Sequence, residues 1–294
     1  MDIELARTFL AIVESGSFGS AAERMHVTQT AVSARIRALE HQLGRPLFVR
    51  NKAGARLTPA GQRFVQHATS LCQAWERARQ HVALPAGKQD GISVGGEASI
   101  WHPLLADWLI WMQQHCTDTA LRVDVDAPAR LLERVRNGSL DVAVLYNPPQ
   151  HPGIVCELLS EEKLVMVTTS TNGNYDAQQY VHVDWGENFS ANHQAAFPGL
   201  AQAGVVVSLG PLALTYILSV GGSGYFRAGT VAPFLASGEL RRVADAPAFS
   251  HSAYLVYTTQ HDRQALQRAR QGLHTVAQRE NPSSNGPFIG ARSL

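Results

Sequence analysis

The chain has 294 residues, of which 45% are hydrophobic and 17% charged. This length predicts about two globular domains, at roughly 150 residues for each. No run reaches the ~18 apolar residues that a membrane-spanning helix needs, and the acidic start MDIELARTFLAIVES lacks the pattern of a signal peptide. These features exclude an integral membrane protein and predict a cytoplasmic location.

The charge is divided unevenly along the chain. Residues 1–87 hold 11 Lys and Arg against 6 Asp and Glu, a net +5, whereas residues 88–294 hold 14 against 18, a net −4. All but one of the N-terminal cations are arginines, which suit bidentate contacts to guanine edges and phosphates. A basic N-terminal part joined to an acidic remainder indicates nucleic-acid binding at one end of the chain.

The N-terminal part has the pattern of closely spaced short helices. An apolar stripe at helical spacing predicts a first helix that Gly16 ends. A short second helix begins at Ser17, or at Ser20 acting with Glu23 as a capping box, and the sequence leaves both open. Thr28 is the N-cap of a third helix only a few residues later. Two helices joined by so short a turn form a helix-turn-helix.

The third helix combines a buried stripe with a polar outer face. Val32, Ile36, Leu39 and Leu43 have the spacing of a stripe that faces the core. The outer side chains can hydrogen-bond to base edges and phosphates, although an ordinary solvated face would have the same polarity. The predicted DNA-binding residues of this segment are Thr28, Gln29, Thr30, Ser33, Arg35 and Arg37.

The segment RPLFVRNKAGARLTPAG predicts a hairpin wing beside this helix. Its cations Arg50, Lys52 and Arg56 are predicted to contact phosphates and to supply salt-dependent affinity. Thr58 and Pro59 then form the N-cap and first residue of a long helix.

The long helix carries apolar residues at heptad spacing. This spacing favours a dimerising helix, although the stripe could instead pack on its own domain. The predicted dimerisation residues are Phe64, Ala68, Leu71, Trp75, Ala78 and Val82. Residues 84–87, which include a Pro and a Gly, predict a hinge after this helix.

Strands alternate with helices from Ile92 onwards. The order over residues 92–146 predicts a βαβαβ unit with a mostly parallel sheet. Because five further strands follow, two α/β lobes with a cleft between them are predicted. These strands are predicted at residues 164–168, 180–184, 205–208, 224–226 and 254–257.

Ligands of such sheets bind beyond the carboxyl ends of strands, where helix N-termini offer backbone amides to anions. The candidate effector-binding residues lie at or near strand ends, although each could instead be a helix cap or a packed surface residue. They are Ser99, Tyr146, Asn147, Ser208, Tyr225 and Arg227. Ser99 and Ser208 with Arg227 predict a small carboxylate effector. Trp101 and Phe226 leave room for an aromatic or aliphatic tail, although both could instead be core residues.

The motifs AAERMHVTQ, AVSARIRALE, LGRPLFVR and LTPAG resemble the winged helix-turn-helix of LysR-type transcriptional regulators. The resemblance extends over residues 1–280 and includes GSLDVAVL and VGGSGYFRAGTVAPFLASGEL. Two positions depart from the usual family pattern, namely Thr30 and the sequence Tyr225-Phe226-Arg227. The family resemblance implies an effector domain like a periplasmic binding protein, with two crossovers between lobes, and a tetramer built as a dimer of dimers.

The expected fold is therefore α/β with an N-terminal all-α winged helix-turn-helix, a linker helix and a two-lobed effector domain. The expected divisions are a DNA-binding domain at 1–58, a linker helix and hinge at 59–87, a regulatory domain at 88–280 and a disordered tail at 281–294. The expected partners are double-stranded DNA at an interrupted inverted repeat, a small-molecule effector and a second copy of the chain, with RNA polymerase as a further candidate. No enzyme activity, cofactor or metal is expected.

Other classes of protein are weaker readings of the sequence. Gly91-Ile92-Ser93-Val94-Gly95 fits G-x-S-x-G, but Ser93 lies inside a predicted strand, where a nucleophile elbow would need a sharp turn. His115 beside Cys116 has no second ligand pair for zinc. A DNA-bending protein without a sensor would have no function for the roughly two hundred C-terminal residues. A redox sensor could use Cys116 and Cys156, but neither has an adjacent Arg or Lys in the sequence that would activate its thiol.

Overall fold

A computed structural model of the chain describes residues 2–51, 54–200, 203–258 and 263–280. The predicted tail, residues 281–294, lies outside the described residues. No helix within the described ranges is both long and apolar enough to span a membrane.

The N-terminal domain is a winged helix-turn-helix. Its helices are held by side-chain N-caps, each of which typically contributes about 1 kcal/mol. Ser17, rather than Ser20, caps the second helix, because its hydroxyl accepts the Ser20 N–H. Gly16 and Gly44 end helices in the left-handed conformation. The elements are α1 (Ile3–Ser15), α2 (Phe18–Arg24), α3 (Gln29–Leu43), β1 (Phe48–Asn51) and β2 (Gly54–Leu57).

A long helix, α4 (Pro59–Val82), leaves this domain. The first half of its predicted heptad stripe packs inside its own domain, because Ala68 is fully buried there and the Phe64 ring lies 5.1 Å from that of Phe9. The prediction that Ala68 contacts a second chain is therefore wrong. Leu71, Trp75 and Val82 are exposed by 40%, 47% and 86%, so the second half of the stripe is uncovered in one chain.

The first lobe of the C-terminal part has a five-stranded sheet. Its order is β4-β3-β5-β13-β6, in which β3 pairs in parallel with β4 and β5, and β13 runs antiparallel to both its neighbours. The edge strand β6 was not predicted from the sequence. The strands are β3 (Asp90–Gly96), β4 (Thr119–Val125), β5 (Val142–Tyr146), β6 (Ile154–Ser160) and β13 (Ala253–Thr258).

Helices cover this sheet on both faces. The predicted amphipathic helix after β3 begins as a π-helical turn over Trp101–Leu105 and continues as an α-helix. Trp108 of this helix is fully buried and donates its indole N–H to the Ala269 carbonyl. The helices are α5 (Ala106–His115), α6 (Pro128–Asn137) and α10 (Gln264–Glu280).

The second lobe is built around strand β7, which pairs antiparallel with three other strands. A parallel pair, β8 and β9, joins this sheet through a bridge between Tyr180 and Ser223. The strands are β7 (Lys163–Thr168), β8 (Val181–Val183), β9 (Val205–Val207), β10 (Ser223–Arg227), β11 (Arg241–Arg242) and β12 (Phe249–Ser250). The helices are α7 (Glu187–Ala196), α8 (Gly210–Val220) and α9 (Ala228–Ser237).

The chain crosses between the lobes twice, from β6 to β7 and from β12 to β13. The two crossings touch, because the His251 N–H donates to the Glu162 carbonyl at 2.9 Å. The predicted two-lobed α/β fold is therefore confirmed, and a cleft lies between the lobes.

Candidate nucleic-acid interface and ligand cleft

The outer face of α3 carries a shallow surface groove. Gln29, Thr30, Ser33, Arg37 and Glu40 line it together. They share one side of the helix because their spacing repeats the helical turn. Gln29, Thr30 and Arg37 are exposed, so their polar ends face solvent. This face offers an amide, hydroxyls and a guanidinium, which are the groups that read base edges and hold phosphates.

Two other predicted residues of this segment have structural contacts. The Thr28 hydroxyl accepts the Ala31 N–H at 3.2 Å and so caps α3. Arg35 lies on the opposite side of the helix, where its guanidinium donates to the Thr8 hydroxyl and lies 3.6 Å from the Glu4 carboxylate. The prediction that Arg35 contacts DNA is not supported, because its position along the helix turns it toward α1.

The wing is fixed to the helices at both of its strands. The Glu40 carboxylate accepts the N–H groups of Leu47 and Phe48, at 2.7 and 3.3 Å. In β2 the Ala55 N–H donates to the Gly16 carbonyl at 3.0 Å. Arg56 is exposed on this strand. The predicted phosphate contacts of Lys52 and of the Arg50 side chain lie outside the described residues.

A cavity of about 530 Å³ opens between the two lobes of the C-terminal part. Its wall is mainly apolar and rich in rings. The hydroxyl-bearing residues Ser99, Thr215 and Thr230 also reach it. The apolar lining residues are Trp101, Pro103, Trp185, Pro211, Leu214 and Phe226.

The charged groups of the cleft are Arg227 and Glu162, and they form an ion pair with 2.9 Å between Nε and Oε2. Their side chains are only 11% and 14% exposed. Arg227 also donates through Nη1 to the Ser99 carbonyl at 2.9 Å and to the Tyr146 hydroxyl at 2.7 Å. Burial raises the pKa of Glu162, and the charge of Arg227 opposes that rise. Arg227, which belongs to the second lobe, thus joins both lobes and the first crossing.

A polar layer lies behind this ion pair. Burial raises the pKa of Glu97 to about 7, although its carboxylate accepts the Tyr146 N–H at 2.8 Å. His251 stacks on the Tyr146 ring with 3.7 Å between centroids, and burial together with Arg227 lowers its pKa to about 3. Burial also raises the pKa of the Tyr146 hydroxyl. At neutral pH the imidazole and the phenol are therefore uncharged.

The structure places only some of the predicted effector-binding residues in the cleft. Ser99 and Arg227 line it, and Tyr146 lies behind them, in contact with Arg227. Tyr225 is fully buried in the core of the second lobe and donates its hydroxyl to the Pro247 carbonyl, so its prediction is wrong. The reason is strand alternation, because Tyr225 and Phe226 point to opposite faces of β10 and Phe226 faces the cleft.

Two further predictions at strand ends are also not supported. Ser208 is exposed, and it is Gly210 and Pro211 at the start of α8 that reach the cleft. Asn147 is exposed in a turn with φ of 42°, and its backbone N–H donates to the Ser252 carbonyl. Both residues follow strands as predicted, but the loops carry them past the cleft.

Glu162 and Trp185 line the cleft but are not predicted from the sequence. Glu162 immediately precedes β7 and Trp185 follows β8, so both stand at strand ends next to the lobe crossing or the cleft. An acidic residue at the start of a strand is common on protein surfaces, and only the tertiary contact with Arg227 distinguishes this one. Trp185 packs on Gly210, where an added Cβ would lie 2.4 Å from the indole.

The structure also describes the residues on which the hydrolase and redox-sensor interpretations would depend. Ser93 lies inside β3, and its hydroxyl donates to the Asp141 carboxylate at 2.8 Å. Burial raises the pKa of the Cys116 and Cys156 thiols, which disfavours the reactive thiolate. No group of three or more potential metal ligands occurs among the residues that the structure describes.

A winged helix-turn-helix joined by a long helix to a two-lobed cleft defines a ligand-responsive DNA-binding regulator. Residues 3–62 match the family described as bacterial regulatory helix-turn-helix protein, lysR family, and residues 85–278 match the LysR substrate binding domain. The chain belongs to the LysR family of transcriptional regulators. It combines a DNA-binding helix-turn-helix with an effector-binding domain, as the sequence predicted.

A relative agrees with this assignment, and two solved structures share the fold. The chain is 31% identical to the HTH-type transcriptional regulator HdfR of Escherichia fergusonii over 272 residues, covering 91% of this chain and 96% of that protein. Full-length LysG of Corynebacterium glutamicum with bound effector Arg has a TM-score of 0.58 at 21% identity, covering 94% and 98% of the two chains. Vibrio fischeri DarR in complex with DNA has a TM-score of 0.56 at 18% identity, covering 94% and 99%. At these identities the two structures support the fold alone.

Proposed function

We propose that α3 enters the major groove and reads base edges through Gln29, Thr30, Ser33 and Arg37. The observation that carries this proposal is their common groove on the outer face of α3, beside a wing anchored by Glu40. Arg56 contributes a phosphate contact, which adds affinity without sequence choice. Residues 1–58 form the DNA-binding unit, 59–87 the linker helix and hinge, and 88–280 the regulatory unit.

The second half of α4 provides a dimer interface. Leu71, Trp75, Ala78 and Val82 are all exposed in one chain and share one side of the helix. Pairing them in a second copy would cover this apolar surface. Two recognition helices then require half-sites about one helical turn apart, roughly 10–10.5 bp, or a multiple of it, so the operator is an interrupted inverted repeat. A tetramer would be a dimer of such dimers.

The regulatory unit responds to a small molecule held in the cleft. Binding there changes how the lobes close, and the change reaches the DNA-binding domain through α4 and its contacts with α6. The regulator acts in the cytoplasm, and a DNA-bound tetramer can also contact RNA polymerase.

The DNA-binding proposal is tested by selecting genomic fragments with the purified full-length protein and then comparing variants on the selected site. Arg37→Ala should relax base preference, and each lost bidentate contact costs about 1–3 kcal/mol of discrimination. Arg56→Ala should weaken binding to all DNA sequences alike and reduce the salt dependence of the affinity. Arg130→Ala is the matched control, because Arg130 is 76% exposed in the C-terminal part. Equal losses in all three variants, or no sequence preference in the wild type, would contradict the proposal.

A further inference from the structure

Among the residues that the structure describes, the charged groups that line the cleft are Arg227 and Glu162, and each neutralises the other. The Arg227 guanidinium forms an ion pair with Glu162 and donates hydrogen bonds to the Ser99 carbonyl and the Tyr146 hydroxyl, all of them protein groups. An anion that bound Arg227 would compete with the buried Glu162 carboxylate for the same positive charge. The same reasoning applies to a cation that would take Glu162.

The remaining wall offers flat apolar surfaces. Trp101 lies at the cleft with half of its surface exposed, and the partly buried Trp185 also lines the cavity, whereas Phe226 behind it is only 1% exposed. When a ligand ring packs on a large exposed aromatic side chain, much of the apolar surface of that side chain is removed from water, and this burial favours binding. The volume of about 530 Å³ lies within the usual range for sites that enclose small organic ligands.

The polar groups of the wall suit hydrogen bonding to a neutral group. The hydroxyl residues Thr215 and Thr230 are present, and neither α8 nor α9 has a side-chain cap at its N-terminus. Uncapped N–H groups can donate to a carbonyl or hydroxyl oxygen as well as to a carboxylate. A neutral ligand with one such oxygen can use these groups without disturbing the ion pair.

We propose that the effector is an uncharged molecule built on an aromatic ring, bound between Trp101 and Trp185 beside the intact Arg227–Glu162 pair. The proposal rests on the cleft being the effector site. It replaces the small carboxylate expected from the sequence, because Ser208 lies outside the cleft and Arg227 is already neutralised.

The test uses one ring in three charge states with the purified full-length protein at neutral pH. Benzamide, benzoate and benzylammonium are titrated by calorimetry and thermal shift, and acetate serves as an anion without a ring. Benzamide should bind with millimolar or better affinity and at least about tenfold more tightly than either charged ring, a difference of ~1.4 kcal/mol. Tighter binding of benzoate or acetate than of benzamide would overturn the proposal, as would tighter binding of benzylammonium.

Variants locate the site and test the charge argument. Trp101→Ala should abolish benzamide binding and Trp101→Phe should retain it, whereas Ile110→Ala should bind like wild type because Ile110 is exposed on α5 away from the cleft. Glu162→Gln removes the partner of Arg227 and should reverse the order, so that benzoate binds more tightly than benzamide. An unchanged order in a folded Glu162→Gln protein would overturn the proposal.

The outcomes also separate this inference from the proposed function. If no ring compound binds but another class of metabolite binds in a Trp101-dependent manner, the ligand class is wrong and the cleft remains the effector site. If benzamide binding is unaffected by Trp101→Ala, the cleft itself is not the site.

Discussion

At the scale of single residues, burial changes the acidity of the Glu97 carboxyl. It follows β3 directly, behind the cleft, where burial raises the pKa of its carboxyl to about 7. The ordinary value of 4.5 applies in the unfolded chain. The folded state therefore retains a proton that the unfolded state loses, and the associated stability is lost as the pH rises from about 4.5 to about 7.

Glu97→Gln should accordingly be more stable than wild type above neutral pH, by ~1–3 kcal/mol, and similar to it at acidic pH. The glutamine keeps an oxygen that can accept the Tyr146 N–H, so the hydrogen bond is preserved. Urea denaturation across this pH range measures the difference. Glu161→Gln, at an exposed position, is the control. A difference between Glu97→Gln and wild type that does not change with pH would show that the buried carboxyl does not titrate in this range.

At the scale of elements, α4 combines two functions along one stripe. The first half of this apolar stripe is covered by the core of the winged helix, and the second half, with Leu71 and Trp75, is exposed in one chain. Heptad spacing alone could not separate these halves, because both carry apolar residues at the same period. The separation depends on the tertiary contacts of α4, which bury Ala68 in the N-terminal core and leave Trp75 exposed.

Leu71→Asp combined with Trp75→Asp should therefore dissociate the protein into monomers without unfolding the winged helix, because both side chains are already exposed. Light scattering measures the mass of the variant in solution, and circular dichroism shows whether it is folded. Gln66→Asp, exposed on the opposite side of the same helix, should keep the parent mass. A double variant that retains the parent mass would place the interface elsewhere.

At the scale of the whole molecule, the C-terminal end of α6 docks directly on α4 and α2. The Gln73 side chain of α4 donates to the Arg136 carbonyl at 2.8 Å, and that of Gln80 donates to the Ser139 carbonyl at 3.3 Å. Arg24 of α2 pairs with Glu133 of α6. Because these ionic side chains are largely exposed, such pairs contribute at most about 1 kcal/mol each, and the close backbone contact at Gly138 is the more specific feature.

Gly138→Ala tests this docking. Gly138 has φ of 78°, and an added Cβ would lie 2.8 Å from the Gln73 Cα. Gly238 has the same role at the end of α9 with φ of 81°, and open space surrounds it. Gly238→Ala should cost only the ~1–2 kcal/mol of the left-handed conformation, whereas Gly138→Ala should cost a further ~1–3 kcal/mol of overlap. If both variants lost the same free energy of unfolding in denaturation experiments, the α4–α6 contact would accommodate the added methyl group without loss of stability.

The amino-acid sequence was sufficient to predict the helices and wing of the N-terminal domain and the polar outer face of α3. Caps at Thr28 and Thr58, the left-handed glycine at Gly16 and the stripe containing Val32 are local signals, and local signals can be read along the chain. The polar face of α3 follows directly from that stripe, since what is not buried faces outward.

The tertiary structure alone decided the chemistry of the cleft. Glu162, Trp185 and Arg227 are far apart in sequence and belong to separate loops and strands, so no periodicity links them. Strand alternation turned Tyr225 inward, and loop geometry carried Ser208 past the cleft. Whether Arg227 is a free cation or one half of a buried pair depends on a partner brought next to it by the lobe crossing, and that long-range contact changes the kind of ligand the cleft accepts.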